Sequence, residues 1–355
     1  MSSAEIARRS GLSAQTVSNI IRSLEADGLL KRGETVKGKI GKPSVPMALN
    51  PNGILSLGLN IGRRSAELVL IDFNGARIDA RTTSYAYPDI KDVFSFLEDG
   101  IRVLYDNHPE ARHLVTGLGV ARPYELWNWL EFAKAPAAAM QEWQDPCLAR
   151  RLTDVTGLEV FLENDATSAC VAEHLLGRGN EFHDFAYIFV GAFVGGGLVL
   201  NSKVFTGVTG NAGALGSLLV PDRSGGMTQL LNVASLHVLE RALSEAGIDP
   251  QCLRRNPDDW SRFEQQVAIW IETTGAYLAI AAASIASVVE VEAILIEGAM
   301  PEQVRHRLTE SVRGHLSDLD LTGIVKPRIE EASVGKGARS IGAALLPIHS
   351  RYFLA

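Results

Sequence analysis

The chain has 355 residues, 46% of them hydrophobic and 21% charged, with a formal net charge of −7, enough apolar material for more than one core and so for two or three domains. Cys147, Cys170 and Cys252 are widely spaced and odd in number, which argues against a disulfide framework or a cysteine zinc site and fits a reducing, cytoplasmic setting. The apolar run 277–289 is expected to be too short and too rich in small residues to cross a bilayer, and Met1 leads straight into a polar helix rather than a leader, so no membrane partner is expected.

The first fifty residues carry eight Lys/Arg against four Asp/Glu, a net of +4 that leaves −11 for the rest; a basic head on an acidic body points to a polyanion met by the head alone. Ser2-Ser3-Ala4-Glu5 has the form of a capping box opening a short helix through Arg9, and Gly11-Leu12-Ser13 breaks that helix and caps the next. Over 14–26, Val17, Ile20, Ile21 and Leu24 recur at i, i+3, i+4 and i+7, a stripe expected to pack inward while Gln15, Thr16, Ser18, Asn19 and Arg22 face out. Two helices joined by a tight glycine turn, the second opening on short polar side chains, form the helix-turn-helix pattern whose second helix enters the major groove of double-stranded DNA. Ser13, Gln15, Thr16, Asn19 and Arg22 are the candidate contacts: amides pair with adenine edges, hydroxyls and guanidinium hold phosphate. Leu29-Leu30-Lys31-Arg32, a turn with Lys37, Lys39 and Lys42, and the run 45–49 complete a two-stranded wing whose lysines would lie over backbone phosphate. Pro43, Pro46 and Pro51 stiffen the link to the body.

Next, 54–61 and 66–71 are apolar strands around Gly62-Arg63-Arg64-Ser65, Asn74-Gly75 turns into a third strand, 92–105 is an amphipathic helix and 115–120 a further strand. Tyr124, Trp127, Trp129, Phe132 and Trp143 follow, and packing is the expected role of Trp143. A strand at Phe161-Leu162 ends in Glu163-Asn164-Asp165, and an alanine-rich helix over 166–176 closes on Gly177. A strand over 187–190 enters a glycine-rich loop, Gly191-Ala192-Phe193-Val194-Gly195-Gly196-Gly197, and a hairpin later the chain reads Gly210-Asn211-Ala212-Gly213-Ala214-Leu215-Gly216-Ser217. Helices are expected over 230–246 and 263–289, with His174 and His237 on a helix surface or in the core rather than as ligands.

Carboxylates at strand ends beside glycine loops are how actin-like folds line a ligand cleft. The three motifs, in this order, resemble the signatures of the ROK family of repressors, open reading frames and sugar kinases: END stands here as Glu163-Asn164-Asp165, GTGIGGG as Gly191 to Gly197, GNAGEIGH as Gly210 to Ser217, and the tail 335–346 resembles the family's closing GARSIGAA helix. The resemblance runs from about Ser3 to the C-terminus and implies an α/β two-lobed actin-like ATPase (ribonuclease H-like) body with an N-terminal winged helix-turn-helix domain. The implied boundaries are 1–50 for the head, 54–165 for a first lobe completed by the C-terminal helix 335–355, and 166–334 for a second lobe. It also implies a ligand site at Asn164, Asp165, Gly213, Ala214 and Ser217 for a sugar or phosphosugar effector, and a homodimer or dimer of dimers on the operator. Repressors of the family carry another helix ahead of the pair; Met1 leaves no room for it, so the expectation is either a true start upstream of Met1 or a head short of one packing partner.

Against the family pattern the chemistry is eroded. In a kinase Asp165 would be the general base taking a proton from a sugar hydroxyl; a regulator would use it, with Asn164, only to accept hydrogen bonds. Where the kinases read DIGGTK, Asn60 replaces an aspartate near magnesium and Arg63 a glycine that lets backbone approach phosphate. Ala192 and Phe193 replace threonine and glycine, Tyr124 a glycine, and Glu297 a glycine of the adenosine strand, setting negative charge near a polyanionic nucleotide. Ala214 and Ser217 replace a glutamate and a histidine that hydrogen-bond the sugar; that histidine opens the family's zinc cluster, and no cysteine follows before Cys252. The expectation is therefore no zinc, no ATP and no other cofactor, a shortened loop after Ser217 held by packing alone, and an altered or weakened sugar site. The reading is a cytoplasmic DNA-binding repressor of carbohydrate genes with a catalytically inactive body. An ATP-dependent sugar kinase is the competing reading, and a DNA-binding protein whose body only dimerises is the third.

Overall fold

The Oγ of Ser2 accepts the Glu5 N–H at 3.2 Å and caps α1 (Ser3–Ser10), which Gly11 ends at φ 71°. Ser13 then caps α2 (Ala14–Ala26) by accepting the Thr16 N–H at 3.1 Å, so both helix starts lie where the sequence puts them. The wing is β1 (Leu30–Arg32) paired antiparallel with β2 (Met47–Leu49). Val17, Ile21 and Met47 form the head's core with Ile6, Ala7 and Leu30 packed on it. Ile20, expected inside, is 43% exposed: α1 and the wing cover the line through Val17 and Ile21, and the stripe is narrower than its spacing suggests. The computed structural model describes residues 1–34, 45–128, 135–222 and 224–353; Lys37, Lys39, Lys42, Trp129 and Phe132 lie outside the described residues.

The chain divides into two units, one of Met1–Val120, Leu126–Leu162 and Ala343–Ala355, the other of Ala121–Glu125 and Glu163–Gly342. Beyond the head, the first unit is built on a five-stranded sheet of order β5-β4-β3-β6-β7, from β3 (Leu55–Ile61), β4 (Ser65–Asp72), β5 (Arg77–Ser84), β6 (Val115–Arg122) and β7 (Val160–Asn164). Every residue of β3 is buried, Ser56 and Asn60 included, as befits a central strand covered on both faces. At the β4–β5 turn Asp72 Oδ1 accepts the N–H groups of Asn74 and Ala76, leaving Gly75 at φ 81°. On the sheet lies α3 (Ile90–Asn107), burying Ile90, Val93, Leu97, Ile101 and Leu104. The helices α4 (Ala111–Leu114), α5 (Ala137–Gln141) and α6 (Leu148–Thr156) follow. Trp143 is fully buried and donates its Nε1–H to Pro88 O at 2.8 Å, a packing role with its polar edge satisfied.

In the second unit α7 (Asp165–Leu176) precedes a sheet of order β10-β9-β8-β13-β14, made of β8 (Phe185–Val190), β9 (Val194–Leu200), β10 (Lys203–Phe205), β13 (Ala293–Gly298) and β14 (Arg328–Glu331). β13 runs parallel to both β8 and β14, whereas β8, β9 and β10 pair antiparallel. The expected helix over 230–246 is two, α8 (Leu231–Ala234) and α9 (Leu236–Glu245). Ser235 between them is extended, its Oγ donating to Leu231 O at 2.6 Å and accepting the Val194 N–H at 2.8 Å, so a side-chain tie to β9 outcompetes helix continuation. The helix α10 (Cys252–Arg255) is followed by α11 (Glu264–Val288) and α12 (Glu302–Asp318), which pack closely enough that a Cβ on Gly275 would stand 2.2 Å from Ser311 Oγ. Ser261–Val288 holds an 18-residue segment of mean hydropathy 1.4, long and apolar enough to cross a membrane, which the run 277–289 alone did not suggest; half of that segment is buried inside the fold, as in a core helix. The loop after Ser217 is likewise not held by packing alone: β11 (Leu219–Pro221) and β12 (Met227–Gln229) make a hairpin whose turn is tied by Asp222 Oδ1, accepting from Ser224 N–H, Ser224 Oγ–H and Gly226 N–H at 2.7–2.8 Å. The chain ends in α13 (Ala338–Tyr352).

Candidate functional site

The outward face of α2 is already organised. Ser13 Oγ and Thr16 Oγ1 are 2.8 Å apart, Gln15 Nε2 donates to Asn19 Oδ1 at 3.3 Å, and Arg22 Nη2 donates to the same Oδ1 at 3.3 Å and to Ser18 Oγ at 3.4 Å. Arginine only donates, so it fixes which end of the Asn19 amide is oxygen and leaves the NH2 to present outward. Five of the eight predicted DNA contacts thus share one exposed face. The wing is anchored to α2 by a fork–fork pair, Arg32 Nε and Nη2 to the two Glu25 oxygens at 2.7 and 3.1 Å; this hydrogen bonding holds the Glu25 carboxyl below its ordinary value.

The second predicted cluster is set by glycines. Gly195, Gly196 and Gly197, expected in a loop, lie on β9. A Cβ on Gly195 would stand 2.9 Å from Ala166 Cβ, and one on Gly197 2.6 Å from Cys170 Cβ, so the strand lacks side chains because α7 packs straight onto it. From the other direction, a Cβ on Gly196 would stand 2.5 Å from Leu215 Cδ1. Gly213, at φ +73°, sits with its Cβ position 2.7 Å from the Gly197 Cα, and Gly216 would strike Val194 O at 2.2 Å. Thus β9 is a common floor for the start of α7 and for the 213–217 turn, on which Ala214 and Ser217 are exposed.

At the α7 start, Asn164 Oδ1 accepts the N–H groups of Ala166 and Thr167 at 2.9 and 3.2 Å, so its oxygen is the helix cap and its amide nitrogen is what remains for a ligand. Asp165 Oδ1 accepts the Ala166 N–H at 2.9 Å, which leaves Oδ2 facing Arg339 Nη1 at 3.6 Å. Glu163 turns back to accept the Asn164 N–H at 2.7 Å, and burial raises its carboxyl above the usual range. Among the described residues no polar contact joins Ala214 or Ser217 to Asn164 or Asp165.

The substituted positions have definite structural roles. The turn before β9 is stapled by α9, since Leu236 and His237 donate their backbone N–H groups to Gly191 O and Ala192 O at 2.9 and 3.3 Å. The buried Phe193 ring lies 4.8 Å from that of His237, so the helix start that would otherwise face an anion is spent on the turn. Asn60 is buried, and its Oδ1 has no hydrogen-bond partner among the described residues. Glu297 does not present a free charge to a ligand, as its position on the adenosine strand suggested. It is 1% exposed and accepts from Gly298 N–H (2.9 Å), Gly335 N–H (2.9 Å) and Arg305 Nη1 (3.0 Å), with burial raising its carboxyl. The fully buried Glu173 does the same for the preceding loop, accepting from Arg178, Ser333 and Val334 N–H groups at 2.8–3.1 Å. Between them the two carboxylates take three successive backbone donors, Ser333 to Gly335. Arg339, Glu173 and Ser235 were not singled out by sequence reasoning, since the partners of each lie far along the chain.

The family description "ROK family" matches residues 56–349, and "MarR family" matches residues 1–39. The xylose repressor of Bacillus subtilis is 22% identical over 223 residues, covering 62% of this chain and 56% of that protein. A crystal structure of a ROK family transcriptional regulator, a homolog of the Escherichia coli MLC protein, superposes with a TM-score of 0.70 at 23% identity, covering 98% of this chain and 91% of that one. A ROK family glucokinase from Streptomyces griseus, in complex with glucose and AMPPNP, gives 0.64 at 20% identity, covering 82% and 98%. The body thus has the two-lobed actin-like α/β fold, with a winged-helix head of the MarR type.

Proposed function

Since the chain belongs to the ROK family, we propose that it is a DNA-binding transcriptional repressor of carbohydrate genes, with a sugar-kinase-like body that binds effector without phosphorylating it. In this reading the head is 1–50, the first lobe 54–165 with 335–355, and the second lobe 166–334. Ser13, Gln15, Thr16, Asn19 and Arg22 read the operator, and Lys37, Lys39 and Lys42 hold phosphate. Asn164, Asp165, Gly213, Ala214 and Ser217 bound the effector site. The protein works in the cytoplasm as a homodimer or dimer of dimers, and an effector shifts the spacing of the two wings on a palindrome.

The observation that carries this reading is the pairing of two features in one chain. The α2 face is polar, exposed and internally ordered, whereas the positions that would handle phosphate hold a stapled turn with a buried ring and an inward-turned Glu297. A relative named as a xylose repressor supports the sugar class.

The test is a fluorescence-anisotropy titration of the full chain against the DNA upstream of neighbouring carbohydrate genes, repeated with D-xylose and D-glucose. Sequence-specific binding that a sugar weakens supports the reading; binding no tighter than to random DNA removes it. Asp165, retained and partly exposed, fits a kinase as well as a regulator. Turnover of ATP, magnesium and a hexose that Asp165→Asn abolishes would establish that alternative instead.

A further inference from the structure

We infer that Arg339 is a sugar-reading residue, forming with Asp165 an acceptor–donor clamp for two adjacent hydroxyls of the effector. This deepens the sugar-effector reading above and rests on it.

The clamp is built by the crossing of two helices. A Cβ on Gly342 would stand 1.7 Å from Ser168 O, so α13 and α7 meet there backbone to backbone. Arg339 lies three residues before Gly342, and Asp165 three before Ser168. On a helix such residues share a face, so the crossing sets Arg339 opposite Asp165.

The pair is not a closed salt bridge. Its Nη1–Oδ2 separation of 3.6 Å exceeds hydrogen-bond range, and the two side chains remain 27% and 20% exposed. Asp165 Oδ1 is committed to the Ala166 N–H, so Oδ2 is the oxygen that keeps accepting capacity. The Arg339 guanidinium lies over the Phe189 ring, 4.9 Å from its centre, and its buried Nε has no hydrogen-bond partner among the described residues. A structural arginine would close on the carboxylate and satisfy its fork; this one is held over an aromatic ring with an unspent donor beside an unspent acceptor. Two neighbouring hydroxyls of a sugar match that arrangement, one donating to Oδ2 and the other accepting from the guanidinium. Arg339 would also restore a donor and Asp165 an acceptor to a site where Ala214 and Ser217 offer little.

The experiment measures binding of D-xylose and D-glucose to the full chain by calorimetry, for the wild type, Arg339→Ala and Arg339→Lys, with the melting temperature of each variant taken without ligand. Arg307→Ala, which breaks a remote surface pair with Glu264, serves as control and is expected to bind as the wild type does. The expected result is affinity lowered by about tenfold or more in Arg339→Ala, partly recovered by the lysine, at an unliganded melting temperature close to wild type. Affinity within about twofold of wild type in Arg339→Ala overturns the proposal. So do alanine and lysine variants that are equally weak and equally destabilised, which assigns Arg339 to packing. If neither sugar binds the wild type, the sugar-effector reading falls and takes this proposal with it.

Discussion

Gly342 and Ser168 meet without a side chain between them, the position of a Gly342 Cβ lying 1.7 Å from the Ser168 carbonyl oxygen. No rotamer change relieves an overlap with backbone, so Gly342→Ala forces α13 and α7 apart. The expected cost is about 3 kcal/mol, read as a lowered midpoint in urea, with loss of any sugar response. A variant as stable as wild type would mean that the crossing is looser than these positions indicate.

Glu173 satisfies backbone donors from two stretches that follow it, Arg178 nearby and Ser333 and Val334 far along the chain. Glu173→Ala leaves those groups buried and unpaired, each at about 1–3 kcal/mol. The variant should unfold well below wild type, while Glu173→Gln, which keeps acceptor oxygen, should recover part of the loss. Chemical denaturation of the three proteins checks the order.

The buried Glu297 carboxyl has its proton affinity raised by burial, against the opposing pull of its Gly298 and Gly335 amides and Arg305. A carboxyl raised on folding stabilises the fold fully below its unfolded value, and that contribution is lost as pH rises through the folded value. Glu297→Gln removes this titration. Its stability relative to wild type should therefore climb as pH is raised from the ordinary carboxylate range upward, measured as the difference between the two urea midpoints; a difference that falls or stays level contradicts the assignment.

On α2, Gln15 and Asn19 are expected to read bases and Arg22 to meet phosphate. Gln15→Ala and Asn19→Ala should each cost about 1–3 kcal/mol and relax preference at one base position. Arg22→Ala should weaken all sequences alike and flatten the salt dependence by about one phosphate. Because Arg22 also holds the Asn19 amide, a partial loss of preference with it is expected, and selection from randomised half-sites separates the two effects.

Local features of this fold were legible in the sequence and distant ones were not. Ser2, Gly11 and Ser13 announce their caps because the groups they bond lie within a turn of them. Ile20 misled because its spacing is right but the head's core is too small to cover it. The glycines of 195–197 read as a phosphate loop, since a missing side chain looks the same whether ligand or helix needs the room, and only Ala166 and Cys170 overhead decide between them. Glu297 looked like a repulsive substitution and Glu173 drew no notice; their partners at 333–335 lie far along the chain. Arg339 was hidden for the same reason, as its meaning depends on where Gly342 crosses Ser168.

If this chain is a sequence-specific DNA reader, it must select its own sites. Selection of bound sites from a random duplex library with the purified full chain, at physiological salt, tests it most directly. The expected result is enrichment of an inverted repeat whose half-sites lie about one helical turn apart, lost when Gln15 and Asn19 are both replaced by alanine. Recovery of unenriched random DNA would contradict it.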